Sequence, residues 1–138
     1  MTDHPKNSQD LVVVHDNLRL IHLCDEGIDH EYFSALQSHA GLPQATLAHF
    51  MGVDLTTVDN YRKEKKKFTG DSAEKLLKLH RLFALGEELF GSTEEFVGWL
   101  HLPSPGLEGQ KPWDLLHANT GMGEIEEQLN RIAHGYVA

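Results

Sequence analysis

Little in this sequence could cross-link the chain or hold it in a membrane. Cys24 is its one cysteine, so no disulfide can form within the chain, which suits a reducing cytoplasm. The longest uninterrupted aliphatic run, from Leu11 to Val14, is too short to span a bilayer, and the first residues lack the layout of a secretory signal. We therefore expect a cytoplasmic protein that makes no contact with a membrane.

Residue patterns typical of catalysis or metal binding are also missing. The ten histidines form no His-x-x-x-His pair and no His-Glu-x-x-His motif, and a single cysteine cannot supply a thiolate cluster. Neither a Ser-His-Asp signature nor a glycine-rich phosphate loop is recognisable. We therefore expect a protein that is not an enzyme and that has no catalytic residues, no metal site and no cofactor.

Basic residues are scarce, and they are concentrated in one segment. The net charge is −9, but residues 41–81 carry eight basic and five acidic side chains, a balance of +3. Residues 1–40 have two basic and seven acidic side chains (−5), and residues 82–138 have two and nine (−7). Because salt screens charges beyond roughly 10 Å, a local basic patch can attract phosphate even on an acidic protein. The acidic C-terminal third must therefore serve a purpose other than DNA binding.

Residues 44–63, QATLAHFMGVDLTTVDNYRK, fit the helix-turn-helix pattern wherever that motif is physically constrained. Ala48 is small where the two helices cross, Gly52 permits the positive φ of a sharp turn, and Val58 faces inward from the second helix. Asp54 is a good N-cap for that helix. Further apolar residues stand at helical spacing: Leu47, Met51, Val53 and Tyr61. The pattern favours DNA binding over the alternative, an ordinary helical hairpin.

The helical period predicts which side chains meet DNA. If Leu55, Val58 and Tyr61 point inward, the other face of the second helix turns toward the major groove, and it carries Thr56, Thr57, Asn60 and Lys63. The first helix would contact a phosphate through Gln44, and Lys63 and Lys65 to Lys67 would mainly set register on the backbone. The predicted DNA-binding residues are Gln44, Thr56, Thr57, Asn60, Arg62, Lys63, Lys65, Lys66 and Lys67. A merely solvated loop remains the alternative for Lys65 to Lys67.

The rest of the chain also indicates helices, so we predict an all-α fold. Residues 1–9 are polar and expected to be disordered, and an ambiguous apolar stretch from Leu11 to Cys24 is interpreted as helix. One helix is expected from Asp29 to Gly41. A second should run from Asp71, its N-cap with Glu74, to Gly91, and a third should begin at the capping box of Ser92. A loop near Pro103 to Lys111 precedes a short helix from Pro112 to about Thr120-Gly121 and a last helix ending at Gly135. The predicted division is an N-terminal arm (1–26), a helix-turn-helix DNA-binding domain (27–70) and a C-terminal helical domain (71–138) whose role is implied by a resemblance to a known family.

That resemblance is carried mainly by the C-terminal third. In order, the chain has Phe90-Gly91, Trp99-Leu100, a proline-rich loop from Pro103 to Gly109, Pro112-Trp113-Asp114-Leu115-Leu116, Thr120-Gly121 and Arg131-Ile132 with Gly135. This set resembles the toxin-binding domain of MbcA/ParS/Xre-type antitoxins, and the preceding helix-turn-helix belongs to the same arrangement. The resemblance makes residues 71–138 the expected toxin-binding and dimerisation domain. It implies an antitoxin of a type II system that blocks a RES-domain toxin, an NAD-consuming enzyme, and represses its own operon by binding operator DNA.

The resemblance also implies where the toxin is contacted. In such antitoxins the C-terminal end lies at the mouth of the toxin's active site. The residues expected to contact toxin are Trp99, Leu107, Trp113, Arg131, His134, Tyr136, Val137 and Ala138. Core positions remain the alternative for the two tryptophans, and a frayed end without contacts remains the alternative for the C-terminus.

Operator binding is expected to require a homodimer, because one recognition helix reads too few base pairs. The broad apolar helix from Asp71 to Phe90, with its neighbours, is the predicted source of that contact, and a higher-order toxin complex is expected. The alternative function is a free-standing helix-turn-helix transcriptional regulator whose helical C-terminal part only dimerises it.

Overall fold

The fold is built from helices, as the sequence predicts. A computed structural model of the chain describes residues 11–135 and contains seven α-helices over that range. They are α1 (Asn17–Glu26), α2 (His30–Ala40), α3 (Gln44–Met51), α4 (Leu55–Glu64), α5 (Gly70–Phe90), α6 (Thr93–Leu100) and α7 (Asn119–Ala133). Two 3₁₀ turns, Pro105–Leu107 and Pro112–Leu115, connect α6 to α7. Among these helices none is both long and apolar enough to cross a membrane.

The chain forms two compact units, and the boundary between them falls within α5. One unit ends at His80 and the other begins at Arg81. The helix-turn-helix lies in the first unit, and the acidic C-terminal third lies in the second.

The first unit has helix ends that the sequence largely predicts. Asp29 caps α2 by accepting a hydrogen bond from the amide of Tyr32 (3.0 Å), and Gly41 closes that helix in the left-handed conformation. Asp54 caps α4 in the same way, through the amide of Thr57 (2.8 Å). Local hydrogen bonds therefore fix where these helices start, before any packing between helices is considered.

Two helix starts differ from the prediction. The apolar stretch that begins at Leu11 becomes helical only at Asn17, because Asp16 accepts from the amide of Leu18 (2.9 Å) and so caps α1. At the other end of the unit, Asp71 is not an N-cap, since α5 already begins at Gly70. Asp71 lies in the first turn and pairs instead with Lys75 (3.2 Å). The disorder expected for residues 1–9 lies outside the described residues.

The core of the first unit closes around Phe68, which the sequence analysis did not single out. Phe68 exchanges two backbone hydrogen bonds with Ile28, both of 2.8 Å, and its side chain is fully buried. Its ring lies 6.1 Å from that of Phe33 and 5.0 Å from that of Tyr61, measured between centroids. The segment that follows α4 is thereby fastened to the segment that precedes α2.

The second unit packs α6 and α7 with the end of α5. Ser92 caps α6 by accepting from the amide of Glu95 (3.1 Å), as its capping-box sequence predicts. The rings of Phe83 and Phe96 meet edge to face, with centroids 5.1 Å apart. The core side chains are fully buried and include Leu82, Phe83, Phe96, Leu100, Leu116, Met122, Ile125 and Leu129.

The last two helical segments differ from the prediction in their bounds. The segment opened by Pro112 is a 3₁₀ turn that ends at Leu115, and α7 begins at Asn119, before the predicted stop at Thr120-Gly121. Gly121 lies inside α7 because it allows a close approach: a Cβ atom there would overlap the carbonyl oxygen of Leu115. Gly121, interpreted from the sequence as the end of a helix, is therefore a residue that allows close packing inside one.

The apolar face of α5 is buried within the single chain. Its large apolar residues are at most 2% exposed from Leu76 to Phe83. A contact between copies through α5 stays a prediction, and it would have to use the remaining surface of this helix and of its neighbours. The exposed large apolar side chains of residues 11–135 lie elsewhere, at Val12, Leu18, Ile21, Leu55 and Leu102.

Candidate functional site

The second helix of the motif, α4, presents a polar face to solvent. Val58 is 2% exposed and anchors the inner side, where Ala48 of α3 is also buried. Thr56, Asn60 and Lys63 are exposed. At about 100° per residue these three lie within about 60° of one another around the helix axis, on the side away from Val58. The structure therefore brings together three of the residues predicted to face the major groove.

Two positions on α4 differ from the predicted orientation. Thr57 is only half-exposed and lies nearer the inner side than Thr56 does. Leu55, expected to point inward, is 43% exposed. As the first residue of α4, it has no preceding helical turn to cover it, and Val58 and Tyr61 already occupy the inner side. Periodicity alone cannot place a side chain in the first turn.

Asp59 also lies on the outward side of α4, and the sequence analysis missed it. Its carboxylate pairs with the guanidinium of Arg62 (2.5 Å) and the ammonium group of Lys63 (3.1 Å). Hydrogen bonds from Arg62, and then from Lys63, hold the pKa of this carboxyl below its ordinary value. The i, i+3 and i, i+4 spacings were a readable signal of this cluster. In the free chain, two of the cations predicted to meet phosphate are thus shared with one carboxylate.

The basic run that follows α4 is exposed and is held at both ends. Lys65 ends the helix with φ of 54°, and the amide of Lys66 donates to the carbonyl of Tyr61 (2.9 Å). The ammonium group of Lys66 lies 5.0 Å from the centroid of the Tyr61 ring. Buried Phe68 fixes the other end. The three lysines form an ordered, exposed cationic loop beside the recognition helix.

Gln44 is also exposed, at the first position of α3. Pro43 precedes it as the N-cap residue and makes no side-chain cap hydrogen bond. The amides of Thr46 and Leu47 bond to the carbonyl of Pro43 (3.1 and 3.2 Å). Gln44 is thus placed at a helix N-terminus, where side-chain and backbone donors commonly hold phosphate.

In the second unit, both tryptophans are half-buried and stacked on other rings. Trp99 lies 5.6 Å from Phe90 and 6.1 Å from Phe96, measured between ring centroids. Trp113 stacks on His101 at 4.3 Å. Each indole therefore keeps an exposed portion while its ring is held in place, an arrangement that suits either a core anchor or a contact residue.

The remaining predicted toxin-contact residues differ in accessibility. Leu107 is 6% exposed, so its side chain packs inside the unit. Arg131 is exposed and pairs with Glu127 (3.1 Å), and His134 is exposed at the C-cap of α7 with its Nδ1 2.7 Å from the carbonyl oxygen of Asn130. Gly135 follows with φ of +83°. Tyr136, Val137 and Ala138 lie outside the described residues.

Leu102 is an exposed apolar residue that sequence reasoning missed. It is 60% exposed and lies two residues after the end of α6, in the segment that leads to the loop of the first 3₁₀ turn. That loop is closed by two backbone hydrogen bonds: Ser104 donates to Gln110 (3.0 Å) and Gly109 donates to Ser104 (2.8 Å). The Leu-His-Leu-Pro sequence gave no periodic signal of an exposed leucine, since the helix ends two residues earlier.

Metal chemistry has no support in the observed geometry. Over residues 11–135, no group of three or more His, Cys, Asp or Glu side chains is arranged to hold a metal ion. Of the histidines, His80 is buried and hydrogen-bonded to the hydroxyl of Tyr32. Burial lowers the pKa of His80 to about 4, and the neighbouring His39 and His15 contribute to the same shift. His80 is therefore a neutral core residue near pH 7.

Comparison with known families agrees with this architecture. The model of the antitoxin Xre-like helix-turn-helix domain matches residues 20–81. The model of the antitoxin Xre/MbcA/ParS C-terminal toxin-binding domain matches residues 85–135. The fold and the α3–α4 geometry thus define a helix-turn-helix protein with an appended helical domain. The chain belongs to the Xre-type antitoxins, and its toxin-binding domain supports a toxin as its partner.

Curated relatives are similar to the chain at low identity. An antitoxin Xre of Yersinia enterocolitica is 24% identical over 110 residues, which cover 79% of this chain and 74% of the relative. One from Pseudomonas putida is 27% identical over 84 residues, 61% of this chain and 53% of the relative. One from Photorhabdus laumondii is 21% identical over 117 residues, 84% and 79% of the two chains. All three are named as antitoxins rather than as enzymes.

Proposed function

We propose that this antitoxin blocks a RES-type, NAD-consuming toxin through its C-terminal unit and represses its own operon through its helix-turn-helix. The observation that carries the proposal is the division of charge between segments of opposite sign. Residues 41–81 have a balance of +3 and include the recognition helix, whereas residues 82–138 have a balance of −7 and include the whole of the matched toxin-binding domain.

The DNA-binding part of the proposal rests on the exposed face of α4. Thr56 and Asn60 carry hydroxyl and amide groups that can hydrogen-bond to base edges in the major groove. Lys63 and the loop of Lys65 to Lys67 lie beside them and supply phosphate contacts, which position the helix without reading sequence. Breaking the ion pairs of Asp59 would release Arg62 and Lys63 for contacts with DNA. The carboxylate should therefore weaken binding to duplexes of random sequence.

The toxin-binding part of the proposal rests on electrostatics and on the matched domain. A pocket that binds the pyrophosphate of NAD is typically cationic, because charge-assisted hydrogen bonds from arginine and lysine hold phosphate oxygens. An acidic partner is complementary to such a pocket. The residues near the end of α7, with Tyr136 and Val137 after them, would then contact the mouth of that pocket.

A homodimer is part of the proposal, because a single recognition helix contacts too few base pairs for useful specificity. The contact between copies has to use side chains that are exposed in the single chain, which excludes the buried face of α5. Sedimentation at micromolar concentration should give twice the mass of the chain. A monomer that binds one half-site tightly would contradict the dimer.

The experiment that tests the proposal is co-expression with the neighbouring gene. Cells that express the neighbouring gene alone should stop growing, whereas cells that also express this chain should grow, and the two proteins should co-purify. The same strains carry a promoter fusion of the operon, which this chain should repress. Failure of both rescue and co-purification, with repression intact, would favour the alternative of a free-standing transcriptional regulator.

A further inference from the structure

Leu55 is the one large apolar side chain that α3 and α4 expose. It is 43% exposed, whereas Leu47, Met51 and Val58 on the same two helices are at most 2% exposed. Removing Leu55 from water would recover hydrophobic free energy that the free chain leaves unused. A single exposed leucine is common on protein surfaces and does not by itself indicate a binding site. This one, however, lies at a defined position of a helix-turn-helix motif.

The local geometry fixes Leu55 at the leading edge of the recognition helix. Asp54, immediately before it, is locked as the N-cap by the amide of Thr57 (2.8 Å). Leu55 is therefore the first helical residue, next to exposed Thr56 and one helical turn before Asp59. In helix-turn-helix proteins, the residues at the N-terminal end of the recognition helix are those that contact base edges.

The recognition helix that carries Leu55 leads into a cationic segment, which points to duplex DNA as the occupant of this surface. Arg62 and Lys63 lie near the end of the helix, and the exposed loop of Lys65 to Lys67 follows it. The two carboxylates beside Leu55 itself are engaged, one as the N-cap of the helix and one in the ion pairs with Arg62 and Lys63. Among the groups that base pairs display in the major groove, the C5-methyl of thymine is the apolar one.

We propose that Leu55 reads the C5-methyl group of one thymine in each operator half-site. Thr56 and Asn60 read polar base edges next to it, so the contacted thymine is adjacent to the base pairs that they bind. This inference rests on the proposed operator binding and specifies part of the sequence that the operator must contain. Burying one methyl group against an aliphatic side chain corresponds to about a fourfold change in dissociation constant.

The test replaces operator thymines one at a time by deoxyuridine, which pairs like thymine but lacks the methyl group. Fluorescence anisotropy with the full chain measures each dissociation constant. For the wild-type chain, one such replacement per half-site should weaken binding about fourfold. The Leu55→Ala variant should bind the thymine operator roughly fourfold or more weakly and show no further loss at that position.

Control variants separate this contact from general effects. Leu18→Ala removes an exposed leucine of α1, away from the recognition helix, and should keep the full response to deoxyuridine. Leu55→Met keeps an apolar side chain of similar volume and should retain most of the response. Thermal unfolding and sedimentation of Leu55→Ala should match those of the wild-type chain, because Leu55 is exposed.

Three experimental outcomes would contradict the inference, and each can be distinguished from the others. If Leu55→Ala responds to deoxyuridine at every position as the wild-type chain does, another residue reads the methyl group and the inference is overturned. A loss of dimer in Leu55→Ala would place this leucine in a contact between copies and also overturn it. A wild-type chain that binds its promoter no better than random duplex would remove the proposed operator binding itself, and this inference with it.

Discussion

Asn60 is the residue on which the proposed base reading by α4 depends most. Its amide offers both a donor and an acceptor, the pair that matches adenine in the major groove, and it stands exposed between Thr56 and Lys63. Asp59, its neighbour, is engaged with Arg62 and Lys63 and is less available to bases. At the scale of single residues, the proposed specificity therefore comes from a neutral amide rather than from the cations.

Asn60→Ala should weaken operator binding by about 1–3 kcal/mol, because it removes hydrogen bonds to a base edge and leaves phosphate contacts intact. Binding to random duplex should hardly change. Titration of both duplexes by fluorescence anisotropy measures the difference. Asn130→Ala, an exposed asparagine within α7, is the matched control and should leave both affinities unchanged. An Asn60→Ala variant that loses affinity equally for both duplexes would rule out base reading.

His80 should make the fold sensitive to mildly acidic pH. Burial holds its folded-state pKa at about 4, below the ordinary value of 6.5. As pH falls through 6.5, the unfolded chain takes up a proton that the folded chain does not, so stability declines until about pH 4. From about pH 7.5 to about pH 5.0 the loss is on the order of 2 kcal/mol. The pKa of His30 is also lowered, by burial and by Arg62, and this adds to the loss of stability as the pH falls.

Urea unfolding at several pH values checks this linkage. His80→Gln keeps an acceptor for the Tyr32 hydroxyl and removes the titration, so its stability should fall less between about pH 7.5 and about pH 5.0. His22→Gln, on the exposed side of α1, should retain the wild-type decline. An unchanged pH dependence in His80→Gln would show that His80 is not the main source.

The sequence predicted those motif residues whose type is fixed by their position in the helix-turn-helix. Ala48, Gly52 and Val58 were predictable because helix crossing, a left-handed turn and an inner anchor each need a particular residue type. Leu55 was misplaced, because exposure in the first turn depends on neighbours that periodicity does not describe. The ion pairs of Asp59 were readable from its spacing to the cations that follow it, although they were not predicted. The contact of Phe68 with Ile28 joins residues far apart in the chain, and no local pattern reports it.

At the scale of helices and loops, local hydrogen bonds made most boundaries predictable. Asp29, Asp54 and Ser92 cap their helices as their sequences indicate. The bounds of α7 were misread because Gly121 looks like a helix stop, although it packs against the carbonyl of Leu115. That distinction requires the position of the preceding 3₁₀ turn, which a one-dimensional pattern does not contain.

Gly121→Ala should destabilise the second unit, because its Cβ would overlap the backbone of Leu115. Overpacking of this kind costs about 1–3 kcal/mol. Gly123, two residues later in the same helix, has open space where a Cβ would stand, with nothing within 4 Å. Gly123→Ala should therefore stabilise the protein by about 0.5–1 kcal/mol through helix propensity. Urea unfolding of the pair tests this, and equal stabilities would contradict the packing role of Gly121.

Removing residues 135–138 should weaken toxin neutralisation and leave the fold and operator binding intact. The proposed toxin contact uses Tyr136 and Val137, whereas the residues proposed to bind DNA lie in the other unit. Growth under toxin expression and operator titration measure the two activities separately. Removal of residues 2–9 is the control and should spare neutralisation. Full protection by the C-terminally truncated chain would exclude the contact.

At the scale of the whole chain, the distribution of charge is compatible with the two partners proposed for it. A basic segment can approach DNA although the net charge is −9, because attraction to phosphate acts over about a Debye length. The acidic segment would be repelled by DNA and suits a cationic partner. This division was readable from the sequence, since it needs only counts along the chain. The face that would join two copies was not readable, because α5 buries many of the apolar residues that looked available.

The most direct test of the account is the NAD turnover of the purified toxin encoded by the neighbouring gene. The account predicts that adding the full-length chain lowers turnover in proportion to the amount added and abolishes it at a fixed stoichiometry, without NAD consumption by the chain alone. Asn60→Ala should inhibit equally well, because that residue serves DNA. Undiminished NAD turnover in the presence of excess full-length chain would contradict the account.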